Sequence, residues 1–83
     1  NPGWSNDLGF LFEQSGHYGE AVELLSYVVV NNPDRIVAYL NLADSYWGVG
    51  RKELAAENYK KYHSLMVKSG KTEKIPKRVI ERS

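Results

Sequence analysis

Two histidines, ten acidic residues and no cysteine are the raw material for chemistry in these 83 residues. His17 follows Gly16, and His63 sits among Lys60, Lys61 and Tyr62, neither with a second histidine at the i+4 spacing a zinc pair needs. Both read as ordinary surface or half-buried side chains. Glu20 and Glu23 stand at i, i+3 near the start of a helical stretch, where negative charge offsets the helix dipole without any catalytic role. Gly48-Val49-Gly50 precedes a helical pattern but lacks the rest of a nucleotide-binding fingerprint. The absence of cysteine removes thiolate nucleophiles, disulfides and sulfur-ligated metals together. No catalytic residue, metal ligand or cofactor site is therefore expected, and the chemistry these residues support is recognition.

The elements that would position recognition groups follow from composition and period. With 42% hydrophobic and 25% charged side chains, the chain falls in the range of one globular domain. A domain this short buries only about 60 to 65% of the surface its unfolded form exposes, so regular packing or missing neighbours are expected. No apolar run approaches the ~20 residues of a membrane helix, and the opening Asn-Pro-Gly-Trp has no initiator or signal character. A domain cut from a longer, water-soluble protein is the expectation. The net charge of +1 hides a division: residues 1–50 hold six acids and one base, residues 51–83 ten bases and four acids. Such asymmetry can mark an anionic partner, or simply solvate a terminal helix.

Laid against itself, the chain has one productive offset, thirty-four residues: Leu8 with Leu42, Gly9 with Ala43, Phe12 with Tyr46, Gly16 with Gly50, Ala21 with Ala55, Leu25 with Tyr59 and Val28 with Tyr62. The i, i+4 spacing of Leu8 and Phe12, and of Leu42 and Tyr46, predicts a first helix in each copy. Gly16 and Gly50 then close those helices in a left-handed conformation. Second helices are predicted from about Tyr18 to Val30 and from about Arg51 to Ser69, with Ala21 and Ala55 where the paired helix comes closest. Asn31-Asn32-Pro33-Asp34 supplies the stop between copies.

This pattern resembles the tetratricopeptide repeat, whose period is about 34 residues. The second copy carries Tyr39, Leu42-Ala43, Tyr46, Gly50, Ala55 and Tyr59; the first carries Leu8-Gly9, Phe12, Gly16, Ala21, Leu25 and Pro33. Ser5 stands where the leading aromatic belongs, with Trp4 one place early, and Val67 stands where a second proline belongs. The resemblance covers about residues 2 to 69. It implies an all-α fold: repeats at 2–35 and 36–69, then a linker and C-terminal cap helix at 70–83, together a right-handed α-solenoid fragment. In the cap, Ile75, Val79 and Ile80 are expected on the apolar face, and Lys74, Lys77, Arg78, Glu81 and Arg82 in solvent.

The resemblance further implies a concave groove for a peptide or helix of another protein. Its slots hold Asn6, Asp7, Phe10, Glu13 and Gln14 in the first copy, and Val37, Leu40, Asn41, Asp44 and Trp47 in the second. Phe10, Leu40 and Trp47 are expected to make an apolar pocket, with Asn41 hydrogen-bonding the ligand backbone and Asp7, Glu13 and Asp44 favouring positive charge. The competing reading has them packing against the cap helix or an absent repeat. Some family members grip a carboxylate tail with basic groove residues; Asp7, Phe10 and Asp44 disfavour that ligand here, so an apolar or basic partner is expected. Two alternatives stand beside this one. Arg51, Lys52, Lys60, Lys61, Lys68, Lys77, Arg78 and Arg82 could meet nucleic acid or an acidic partner, and exposed repeat ends could pair two copies of the chain.

Overall fold

The structure, a computed structural model, describes residues 16–83. Ala21, Leu25 and Val28 recur at helical spacing and are all wholly buried on one side of α1, Tyr18–Asn31. At its last turn asparagine side chains share the carbonyls with the backbone: the Asn31 side-chain amide donates to the Tyr27 carbonyl at 2.9 Å and that of Asn32 to the Val28 carbonyl at 3.3 Å. Pro33 then offers no amide to extend the ladder. The Tyr39 hydroxyl donates to the Pro33 carbonyl at 2.9 Å, fixing the turn against the next helix.

That helix, α2 (Ile36–Gly48), is buried on almost every side: Ala38, Tyr39, Leu40, Asn41, Leu42, Ala43 and Ser45 are all inaccessible. Leu42 packs with Ala21 and Leu25 of α1. Tyr39, Leu40 and Ala43 pack with Ala55, Tyr59, Tyr62 and Met66 of α3, Lys52–Lys68. The hydroxyl of buried Ser45 donates to the Asn41 carbonyl at 2.8 Å, so its burial leaves no unmet donor.

Each end of the α2–α3 hairpin closes in the same way. Gly50, at φ 84°, donates to the Trp47 carbonyl at 3.1 Å and Arg51 to that of Tyr46 at 2.9 Å. Gly70, at φ 70°, donates to Val67 and Lys71 to Met66, both at 3.0 Å. Both are the double bond of a glycine-terminated helix, which L side chains resist because of the left-handed backbone. The expected helix boundaries agree with these ends to within a residue or two. Helix α4, Lys77–Arg82, follows a short 3₁₀ turn at Thr72–Lys74.

The described residues are all-helical, with no strand among them. Their extensive contacts join successive elements: α1 with α2, α2 with α3, and α3 with the 3₁₀ turn and α4. No helix among them is long and apolar enough to cross a membrane. The expected first helix of the first copy, with Leu8, Gly9 and Phe12, lies outside the described residues.

The cap differs from expectation in its inward face: Ile80, expected inside, lies outside, while Arg78 and Arg82, expected in solvent, turn inward onto Asp44 and Tyr59. Val79 is wholly buried and Ile75 half-buried, but Ile80 is 59% exposed. The inward residues of the helix are instead Arg78, Val79 and Arg82, and Ile75 packs from the extended segment that precedes it. Ile80, only one residue beyond Val79, is turned about a quarter of the way round the helix and out of the contact.

Tyr18, at the start of α1, lies over the last residue of α2, which makes the two helices antiparallel. A β-carbon built on Gly48 would meet the Tyr18 ring at 2.5 Å. Alanine in place of glycine ordinarily stabilises a helix by up to about 1 kcal/mol. Gly48→Ala should instead destabilise the protein, and should turn neutral or stabilising in a Tyr18→Ala background. Urea denaturation of the four-member cycle checks this; additive effects would mean that Tyr18 does not pack there.

Candidate functional site

Asp44 lies on the face of α2 that α4 covers, with its side chain 9% exposed. A carboxylate in such a place loses most of its water, and must be matched by charge and by hydrogen bonds. Arg78 supplies both, its Nε donating to Oδ1 at 2.9 Å and its Nη2 to Oδ2 at 2.8 Å. This two-pronged fit uses the planar fork that only a guanidinium offers. The Tyr59 hydroxyl, from α3, donates to Oδ1 as well.

One turn beyond Arg78, Arg82 adds the second half of the cluster. Its Nη1 donates to the Tyr59 hydroxyl at 2.9 Å and stands 3.7 Å from Asp44 Oδ1. Its guanidinium carbon lies 4.4 Å from the centre of the Trp47 ring, and the Lys52 ammonium lies 4.8 Å from the same ring. Cations are held there by the negative face of the indole. Three helices thus meet in five side chains: Asp44 and Trp47 from α2, Tyr59 from α3, Arg78 and Arg82 from α4.

The electrostatics follow from this packing. Burial, then the hydrogen bond to Asp44, pushes the Tyr59 phenol up to about 12, against a smaller opposing pull from Arg82. The hydrogen bonds to Asp44 hold Arg78 charged more firmly still, despite the opposing effect of burial. Tyr62 is also raised, chiefly by burial, with Arg78 opposing.

Measured against the expected groove, the structure separates its members. Val37 is 44% exposed, Leu40 is in the core cluster that includes Val79, and Asn41 is 5% exposed. Asp44 is bound by the chain's own arginines, and Trp47 is half-buried with Arg82 on its ring. Asn6, Asp7, Phe10, Glu13 and Gln14 lie outside the described residues. Of the basic set, Arg51, Lys52, Lys60, Lys61, Lys68 and Lys77 are exposed, whereas Arg78 and Arg82 turn inward. His17 approaches Glu20 to 3.9 Å on the surface, and His63 is half-buried on α3. Among the described residues no group of three potential ligands gathers for a metal.

Sequence reasoning missed the roles of Tyr59, Arg78 and Arg82. The available signal was the i, i+4 spacing of Arg78 and Arg82 beside Val79, which puts two arginines on the helix face that carries an apolar residue.

Asp44→Asn removes the charge while keeping the shape, and should lower stability by about 1.5–3 kcal/mol, the range for hydrogen bonds to charged groups. Arg78→Ala should cost more, because it leaves the Asp44 carboxylate, 9% exposed, without its forked partner, whereas Asp44→Asn leaves only Arg78, which is 39% exposed and regains water. Chemical denaturation of both variants checks the order. The raised Tyr59 value gives a second expectation. The folded state holds this proton more tightly than the unfolded chain, so the stabilisation is complete below pH 10 and is lost as pH rises from 10 through about 12. Tyr59→Phe should flatten the alkaline decline of stability; a slope unchanged from the wild type would sink the assignment.

Compared with family models, with curated proteins and with solved structures, the chain matches none, so its function must be read from the α2–α3–α4 geometry itself.

Proposed function

We propose that the chain is a non-catalytic, protein-binding module of the tetratricopeptide type. In this reading two helical hairpins and a cap form a right-handed α-solenoid fragment of a longer repeat protein, and the concave face takes a peptide or helix of a partner. The observation that carries it is the equivalence of positions thirty-four apart. Gly16 and Gly50 have φ of 82° and 84°. Ala21 and Ala55 are both wholly buried, as are Leu25 and Tyr59, while Val28 and Tyr62 are 0% and 5% exposed. Contacts that run from each helix to the next give further support, since stacked repeats bury their cores against neighbours in sequence.

Two features favour a basic or apolar partner. Asp44 already accepts guanidinium groups, and Trp47 already carries cations on its ring. Val37 leaves an apolar side chain 44% exposed on the same helix. The nucleic-acid alternative is weakened by the inward turn of Arg78 and Arg82, which takes two charges from the basic half.

Affinity capture with the wild-type chain beside a Val37→Glu, Trp47→Glu variant of unchanged helicity tests the reading. A protein should be retained by the wild type, lost by the variant, and unaffected by nuclease. Retention that follows the basic half and disappears with nuclease or moderate salt would transfer the assignment to nucleic acid. A concentration-dependent mass without any retained partner would transfer it to self-association.

A further inference from the structure

We infer that α4 is an internal ligand: Asp44, Tyr59 and Trp47 form a site for two guanidinium groups one helical turn apart, filled in this chain by Arg78 and Arg82, and open to a partner helix that presents the same pair. The inference rests on the groove reading above and specifies the partner's chemistry.

The recognition is built for arginine. Arg78 covers both oxygens of Asp44 at 2.9 and 2.8 Å, which a lysine ammonium cannot do. Arg82 bonds the Tyr59 hydroxyl at 2.9 Å while its guanidinium carbon lies 4.4 Å from the Trp47 ring centre, within the range of a cation–ring contact. Val79, wholly buried between the two arginines, completes the pattern Arg-Val-X-X-Arg. Beside Val79, the polar interactions of the two arginines are charge-assisted or cation–ring interactions with side chains of α2 and α3.

The occupant is lightly tethered. Helix α4 has six residues, far fewer than the ~12–15 at which an isolated helix becomes even marginal in water, so it is folded only while docked. The segment before it is exposed over residues 69–74, with Ile75 and Pro76 half-buried, and contacts with α4 are made by α3 rather than α1. Its release breaks no backbone hydrogen bond of α1, α2 or α3. What release does leave is the Asp44 carboxylate without its forked partner and facing no cation of its own helix, which favours a replacement that restores the pair. A partner helix bearing Arg-apolar-X-X-Arg restores it with the bonds already formed here. A short flexible tether holds the internal ligand at an effective concentration on the order of millimolar, so the site is closed to weak ligands and opens to tighter ones.

The test uses the full chain carrying Arg78→Gln and Arg82→Gln, with a synthetic peptide of residues 71–83 as the probe in trans. Calorimetric titration should show the peptide binding the variant at least tenfold more tightly than it binds the wild-type chain. Binding should be lost when Asp44→Asn is added, or when both peptide arginines are replaced by lysine. A folded variant that ignores the peptide, or accepts the lysine peptide equally, overturns the proposal. Dimerisation of the wild type that depends on Arg78 also overturns it, by making a second copy the occupant. If the double variant loses helicity, hydrogen exchange on the wild type decides. Amides of residues 79–82 should exchange at least a hundredfold faster than those of Tyr59 and Tyr62, and equal protection refutes a releasable α4. In the capture experiment, Trp47-dependent retention that does not rise in the Arg78→Gln, Arg82→Gln chain would refute the internal ligand alone, leaving the groove reading intact.

Discussion

A nearly buried carboxylate on the middle helix is the constraint around which the C-terminal half of this protein is organised. Asp44 sits on α2, a helix otherwise covered on most sides by apolar or neutral side chains. Left alone there, it would forfeit several kcal/mol of hydration. The chain answers with Arg78 from α4 and Tyr59 from α3, so a single acid acquires partners from two other helices. Apolar packing brings α3 against α2 through Ala43, Ala55 and Tyr59 and seats α4 by its one wholly buried apolar side chain, Val79. The Asp44 carboxylate adds direction, because the fork of Arg78 meets both of its oxygens and so fixes the rotation of α4 about that anchor.

Tyr59 shows how core and site are continuous. Its ring is wholly buried and packs in the α2–α3 cluster, while its hydroxyl relays between Asp44 and Arg82. One residue thus contributes apolar burial and a satisfied polar end, the usual use of a buried tyrosine. The same economy explains the raised phenol value, since water is excluded from the ring and a carboxylate faces the hydroxyl. It also links cap to core. Any change that moves α4 alters the surroundings of a side chain at the centre of the hairpin.

Recognition and stability draw on the same groups here. The aromatic and acidic residues that a partner would use are the ones that hold α4, and an arginine-bearing helix would exchange like for like. A site filled in this way need not expose a buried charge or an apolar face while it waits. Competition between a tethered and a free helix then sets the threshold for binding, through contact chemistry alone.

Most of the helical framework was legible in the linear order of residues. Ala21, Leu25 and Val28, and their counterparts Ala55, Tyr59 and Tyr62, declare their burial by spacing, and Gly16 and Gly50 declare their turns because few other residues tolerate the left-handed backbone. Those signals are local: a helix face and a helix end depend on neighbours within a turn or two. The pairing of Asp44 with Arg78 is thirty-four residues long, and no local rule selects it among ten acids and eleven bases. Nor could spacing alone decide that Val79 turns in while Ile80 faces solvent, since both are apolar and adjacent. The sequence by itself determined the helices, their ends and their apolar stripes, whereas the choice of which charges are buried together belonged to the tertiary structure, because only there does desolvation give one pairing an advantage over the rest.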